Sequence, residues 1–453
     1  MSTKAKLEST SAFNTSLTQY PKKRTKKLIV LVHGMWGSPA DLNQLEKEVR
    51  EKFVDSLVIV PSCNSLLRSY DGIDKCAERL VKDIMYMLNS KFPDKESWPE
   101  NISIIGYSAG GLVARNAVGK LYKEKFFDHV APGKFITIAT PHIGVRYSHR
   151  KLFGKMMNLA ILPLFSNLFG GKSLVQMSLL DKTSSGLPLL VQMSVPESDY
   201  MKALSAFDVI FYANGRKDVI VSYSTATVSN RNPYRDYKYS GLAKHAIPDC
   251  KFVLAEEIQT PGKTVSSFGT EMLSVQNQIS PYQKGLSLLI FTSISPVIVS
   301  LLIVQMVLLM IPLRAAALIT QVKGSLVRRT YNHMDSCPPQ PEVSYQTGNQ
   351  APSSSISALR GGEQEVEGHK HEQMQVSEIK MSPTKSNGNL LLLKKTSYPS
   401  FIRDNLLSSV KFKRVICWLP GNVNTHGKII FRRGHKFYSD GLEIVNHIVK
   451  SLT

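Results

Sequence analysis

Apolar and polar positions in the first half of this chain fall into two alternating rhythms. Residues 27–32 make an apolar, β-branched run that stops at His33-Gly34-Met35-Trp36-Gly37, which reads as a buried strand emptying into a glycine-bearing loop. Ser38, Pro39 and Asp41 predict a helix start, with serine as N-cap, proline at the first helical position and an acid three residues after the cap. Leu42, Leu45, Val49 and Phe53 follow at helical spacing, and residues 56–60 are a second apolar run. Asp71 is placed to cap another helix, whose stripe passes through Ile73, Cys76, Leu80, Ile84 and Leu88. An apolar run at 101–105, a helix pattern at 109–122 and a further run at 135–139 continue the series. Alternation of this kind implies a mainly parallel sheet covered on both faces.

The rhythm breaks at residues 142–206, which are rich in Leu, Met and Phe, as in 157–169 and 174–180. Two readings stand: a lid-like insertion, or two core helices. Residues 208–213 restore a strand. Residues 285–313 then carry no charged side chain, between Lys284 and Arg314, and contain Pro296 and Pro312. About 20 apolar residues already cross a bilayer, so this stretch is expected to associate with a membrane. Arg314, Lys323, Arg328 and Arg329 beyond it suit a cytosolic face. Ser, Pro, Gln, Glu and Gly dominate 335–396, the composition of a disordered linker. A helix at 401–410, a strand at 415–419, a loop holding His426 and a last helix at 439–452 complete the pattern.

Composition narrows the partners. The 453 residues are 43% hydrophobic, enough for a sizeable core, and Lys plus Arg exceed Asp plus Glu by 56 to 35, giving +21. That charge favours anionic partners. No zinc-finger spacing, RNP-like run or repeated basic-aromatic pattern occurs, so nucleic acid is not expected. Cys63, Cys76, Cys250, Cys337 and Cys417 fall at no metal or redox spacing, and neither a metal nor an organic cofactor is expected. Residues 1–27 are polar, end in a basic cluster and lack an apolar h-region, which predicts a flexible tail and a catalytic domain facing the cytosol.

Candidate chemistry centres on Gly106-Tyr107-Ser108-Ala109-Gly110. Between a strand and a helix, Gly-x-Ser-x-Gly is a nucleophile elbow, where a tight turn strains the serine and leaves little room for neighbouring side chains. Serine needs a base, and the base needs an orienting carboxylate; in an α/β-hydrolase they follow in the order Ser, acid, His. Asp218, after the strand at 208–213, is the preferred acid, with Asp181 and Asp208 in reserve. His426, after the last strand, is the preferred base, because His435 lies in an Arg-Arg-Gly-His surface run and His447 inside the last helix, both expected to be solvated. His142 precedes the acid, and it and His33 are expected to shape the pocket. The amides of Ala109 and of Met35 or Trp36 are the candidate oxyanion donors.

Residues 31–37, 106–115, 138–144 and His426-Gly427-Lys428-Ile429-Ile430 together resemble the serine esterase family of fungal and plant lipases, most of all its fungal lipid-droplet phospholipases. The likeness covers about residues 28–250 and 396–453. It departs at Ala109, where many members carry leucine; either residue supplies the same amide. The resemblance implies an α/β-hydrolase that cleaves acyl esters of phospholipids, on a lipid droplet or the cytosolic face of an intracellular membrane such as the endoplasmic reticulum. A neutral-glyceride lipase, an acyltransferase and a non-catalytic membrane tether remain alternatives, the last opposed by the complete order of serine, acid and histidine.

The expected organisation is a basic tail (1–27), the first part of the hydrolase (28–250, with 142–206 lid-like), a connector (251–284), a membrane-associated hairpin with its basic flank (285–330), a linker (331–396) and the rest of the hydrolase (397–453). Ser108 and Asp218 precede the apolar segment while His426 follows it, and the three must meet within hydrogen-bond reach. The apolar segment is therefore expected to leave and re-enter on one side, as a hairpin or an in-plane segment.

Overall fold

Five strands of the first half stand side by side because their side chains are apolar on both faces. The structure, a computed structural model, describes residues 27–145, 166, 171–230, 232–234, 246–266, 398–420 and 424–453. Strands β1 (Lys27–Val32), β2 (Ser56–Ile59), β3 (Asn101–Tyr107), β4 (Ala131–Ile138) and β5 (Asp208–Asn214) pair in parallel. They belong to an eight-stranded sheet in the order β2-β1-β3-β4-β5-β8-β6-β7. In β1, Leu28, Val30 and Val32 face one core while Ile29 and Leu31 face the other. A strand buried on both sides must be apolar throughout, which is why these runs do not alternate. Each such side chain contributes about 1.5–3 kcal/mol by leaving water.

Helices α2 (Ile73–Lys91) and α3 (Ala109–Lys123) cover the first face; α1 (Asn43–Lys52) and α9 (Gly441–Lys450) cover the second. Three short helices, α4 (Gly171–Met177), α5 (Leu189–Gln192) and α6 (Asp199–Ser205), follow β4, and α7 (Tyr223–Ala226) follows β5. Within the irregular stretch 142–206, the described helices α5 and α6 join the first core, through Leu189, Leu190, Val191, Met201 and Leu204. That part is core rather than lid. The 157–165 portion of the stretch lies outside the described residues, as do 1–26, the apolar segment at 285–313 and the linker at 331–396.

Several local expectations change. Asp41 does not cap a helix: the turn Pro39–Leu42 is a short 3₁₀ segment, and the Asp41 side chain is buried against arginines from the far end of the chain. Gly72, at φ 115, is the N-cap of α2, and Asp71 pairs with Arg79 instead. The connector at 251–284 begins with two strands, β6 (Val253–Thr260) and β7 (Lys263–Ser266), so the first hydrolase segment extends through Ser266. After α8 (Tyr398–Ser409), strand β8 (Phe412–Cys417) enters between β5, to which it is parallel, and β6, to which it is antiparallel. The two ends of the 267–397 stretch are thus fixed to one sheet. Among the described residues no helix is long and apolar enough to cross a membrane.

Candidate active site

Strand β3 lies between β1 and β4, and its carboxyl end delivers Ser108 to the edge of the sheet. Ser108 has φ 54 and ψ −129, a conformation that L-residues avoid. Two features hold it there. Its N–H donates to Ile138 O at 2.8 Å, and the Thr140 hydroxyl donates to Ser108 O at 2.8 Å. The flanking glycines are sterically required: a Cβ on Gly106 would lie 2.4 Å from Gly111 Cα, and one on Gly110 would lie 2.4 Å from the carbonyl oxygens of Val32 and His33.

The structure brings Ser108, His426 and Asp218 together across 318 positions of sequence. His426 Nε2 lies 3.0 Å from Ser108 Oγ and His426 Nδ1 lies 2.9 Å from Asp218 Oδ2. Asp218 Oδ2 also accepts from Asn214 Nδ2 at 2.9 Å, and Oδ1 accepts from the amides of Ile220 and Val221 at 3.1 and 2.8 Å. An acceptor-only carboxylate at Nδ1 fixes the tautomer that carries its proton there, leaving Nε2 to accept from the serine hydroxyl. The pairing of β8 with β5 makes this possible, because the loops after both strands then emerge side by side. They are laced by Thr425 N to Lys217 O at 3.1 Å and by Thr425 Oγ1 to Arg216 O at 2.9 Å.

The loop after β1 contributes less than expected at one position and more at another. The Trp36 amide donates to Ser69 Oγ at 2.9 Å, so it is not the second oxyanion donor. The amides of Met35 and Ala109 have no protein acceptor among the described residues. His33 is buried beneath this loop, with Nδ1 3.0 Å from Gly34 O, and burial lowers its pKa. His142, expected at the pocket wall, is fully buried: its ring stacks on Phe211 at 4.0 Å and Nε2 lies 2.8 Å from Thr137 Oγ1. Burial, reinforced by nearby Arg115, holds it neutral.

The reserve groups lie elsewhere. Asp208 begins β5, at the opposite end of that strand from the site, and pairs with Lys134 at 2.6 Å. Asp181 accepts from Leu189 N at 2.8 Å, and burial pushes its carboxyl up to about 6. His435 is exposed, as expected. His447 is not solvated: α9 turns it inward, where Nδ1 lies 2.9 Å from Tyr212 Oη.

Four further groups support the site. Tyr107, the variable residue before the serine, donates from its hydroxyl to His426 O at 3.0 Å, and its ring centroid lies 5.1 Å from the imidazole. Asn214 steadies the acid. Arg115 on α3 is fully buried, donates to Ser194 Oγ at 2.7 Å and Met193 O at 3.0 Å, and is pulled down to about 9 by burial. Asp41 accepts from Arg432 Nη2 at 2.8 Å and Arg433 Nε at 2.7 Å, tying the loop after β1 to the segment after His426. A sequence signal existed for Tyr107, Asn214 and Arg115, which sit in the quoted motifs or at a strand end. Nothing local marked Asp41.

A serine on a strained strand-to-helix turn, relayed through a histidine to an acid on loops of a mainly parallel sheet, defines the α/β-hydrolase class. Residues 22–231 match the model of the family described as "Putative serine esterase (DUF676)". The matched span holds Ser108 and Asp218, and His426 lies beyond it. The chain is 31% identical over 218 residues, 45% of its length, to "Putative lipase C4A8.10" of Schizosaccharomyces pombe. It is 26% identical over 271 residues, 56% of its length, to "Putative lipase ROG1" of Saccharomyces cerevisiae. It spans only 26% and 36% of the lengths of those relatives. Among solved structures it is similar to lipase B of Aspergillus fumigatus, at 18% identity over 44% of this chain and 39% of that one, with a TM-score of 0.29. A likeness to phospholipase PlaB of Legionella pneumophila has 12% identity over 53% of this chain and 50% of that one, with a TM-score of 0.30. Both are too distant to bear on substrate.

Proposed function

We propose that this protein is a serine hydrolase that cleaves acyl esters of lipids, and that its substrates are glycerophospholipids at a lipid droplet or the cytosolic face of a membrane. The observation that carries the hydrolase reading is the continuous relay from Ser108 Oγ through His426 to Asp218, at 3.0 and 2.9 Å. Ser108 Oγ attacks the ester carbonyl as its proton passes to His426 Nε2, and Asp218 stabilises the imidazolium. The amides of Met35 and Ala109 receive the oxyanion. His426 then protonates the leaving alkoxide, freeing the alcohol or lysolipid and leaving an acyl-serine. A water, deprotonated by His426, attacks that ester, and the fatty acid departs as Ser108 regains its proton. No metal or organic cofactor enters any step.

Three observations support lipid as the substrate class: the match of residues 22–231 to the model of a serine esterase family, the lipase names of the relatives, and the uncharged 285–313 segment. The net charge of +21 favours phospholipid over neutral glyceride. Ser108→Ala should lower hydrolysis of a soluble p-nitrophenyl ester by about 10³-fold or more and abolish labelling by a fluorophosphonate, while leaving membrane association unchanged. Wild-type-like activity in that variant would remove Ser108 from the mechanism. Incubating wild type with a mixed lipid extract should deplete phospholipid and release fatty acid. Depletion of triglyceride alone would make the protein a neutral-glyceride lipase.

A further inference from the structure

We propose that the loops around Ser108 form a docking surface for an anionic phospholipid surface, with Trp36, Leu66, Val219, Ile220 and Phe437 entering the lipid. The inference deepens the lipid reading above and rests on it. Among the described residues nine large hydrophobic side chains stand markedly exposed, and these five, at 44%, 58%, 65%, 52% and 55%, belong to loops that carry the triad, touch it or are bonded to a loop that does. Scattered exposure is ordinary, but concentration around one site marks an interaction surface.

Contacts place all five on one rim. Trp36 follows Met35 in the loop beside the elbow and packs on Tyr70, with ring centroids 6.0 Å apart. Leu66 N donates to Gly37 O at 2.8 Å, which holds Leu66 beside the same loop. Val219 and Ile220 directly follow Asp218. Phe437 precedes Tyr438, whose ring would meet a Cβ on Gly427, the residue after His426, at 3.5 Å. Apolar groups therefore flank Ser108 from the loops after β1, β2, β5 and β8.

Charge selects the occupant. The four segments 33–42, 61–71, 214–222 and 424–440 contain seven lysines and arginines against four acids. Each of those acids is already engaged: Asp41 with Arg432 and Arg433, Asp71 with Arg79, Asp218 with His426 and Asp440 with Lys428. Exposed Arg68, Arg216 and Lys436 give the rim a net positive face between its apolar residues. Aromatic and aliphatic tips interleaved with cations match an anionic bilayer surface, where tryptophan favours the headgroup boundary. Strand β6 starts at the active-site edge opposite Cys417 and runs away from it, and β7 turns back toward that edge before residue 267 leads on to the uncharged segment at 285–313.

The three tryptophans make the test direct, because Trp98 and Trp418 are each only 2% exposed and a fluorescence change reports Trp36. The full chain is bound to vesicles of phosphatidylcholine with and without phosphatidylserine, and emission, aqueous iodide quenching and quenching by brominated lipid are recorded. With phosphatidylserine present, Trp36 emission should shift to the blue, lose iodide access and be quenched by the brominated lipid, and these changes should fade as salt rises. They should be absent from Trp36→Phe. The double variant Leu66→Ser/Phe437→Ser should hydrolyse vesicle phospholipid at least about tenfold more slowly while keeping its rate on the soluble ester. A vesicle-bound chain whose Trp36 remains open to iodide and untouched by brominated lipid overturns the proposal, and so does protection of Trp36 by self-association without lipid. Loss of Ser108 activity alongside normal Trp36 insertion would instead count against the hydrolase reading alone.

Discussion

Ser108 keeps its unfavourable backbone because Ile138 at the end of β4 and Thr140 in the loop just beyond it hold its amide and its carbonyl. The same tightness makes the adjoining glycines the most sensitive small residues of the site. Gly110→Ala would drive a methyl group into the carbonyl oxygens of Val32 and His33. The expected result is a loss of about 1–3 kcal/mol in urea denaturation, together with loss of ester hydrolysis. Asp181 gives a pH-dependent test of burial. Its folded pKa is raised to about 6 from 3.8, so the native state holds a proton that the unfolded chain releases. Stability therefore falls as pH rises between about 4 and 6 and stays lowered above that window. Asp181→Asn removes the penalty and can still accept from Leu189 N. It should match wild type near pH 4 and exceed it by about 1–2 kcal/mol at pH 7, a figure discounted because the carboxyl is partly solvated. Equal denaturation midpoints at pH 7 would contradict the burial account.

At the scale of elements, the clamp from Asp41 to Arg432 and Arg433 connects the loop that supplies the Met35 amide with the segment behind His426. Burial alone would raise the Asp41 pKa; the two guanidiniums outweigh it and hold the carboxyl below its ordinary value. Its stabilisation is therefore present above about pH 4 and is lost as pH falls through the depressed folded pKa. Asp41→Asn should cost about 1–2 kcal/mol at pH 7, less than a fully buried pair because both arginines are partly exposed. It should also lower kcat on a soluble ester by roughly tenfold, with little change in KM, if the amide and the imidazole drift out of register. An unchanged kcat would make the clamp structural only. Here the limits of sequence are plain. The strands, the elbow and the order of serine, acid and base were legible because strands buried on both faces write continuous apolar runs and because the elbow needs glycines at fixed offsets. Asp41 read as a helix cap and Arg432-Arg433 as a solvated run. Their partnership spans 391 positions, beyond the reach of any local pattern.

At the scale of the whole molecule, β8 is inserted between β5 and β6, so residues 398–453 complete a sheet begun at Lys27. Lys27 Nζ itself donates to Leu452 O at 2.8 Å, joining the first strand to the end of the last helix segment. If the uncharged stretch at 285–313 enters lipid, it must leave on the same side, because the chain before and after it is fixed to one domain. Tags placed before Lys27 and after Thr453 should both be cut by external protease in intact membranes, and protection of one alone would break either this topology or the pairing of His426 with Ser108.

The sequence by itself determined the class of sheet, the nucleophile, and the chain order of acid and base, because each depends on residue types at short, fixed spacings. Tertiary structure decided which glycine-loop amide stays open, that His142 and His447 are core groups, and that Asp41 is a clamp. It also turned the expected connector into strands β6 and β7. These depend on which distant segments become neighbours, and that is settled only when β8 finds its place in the sheet and desolvates the groups around it.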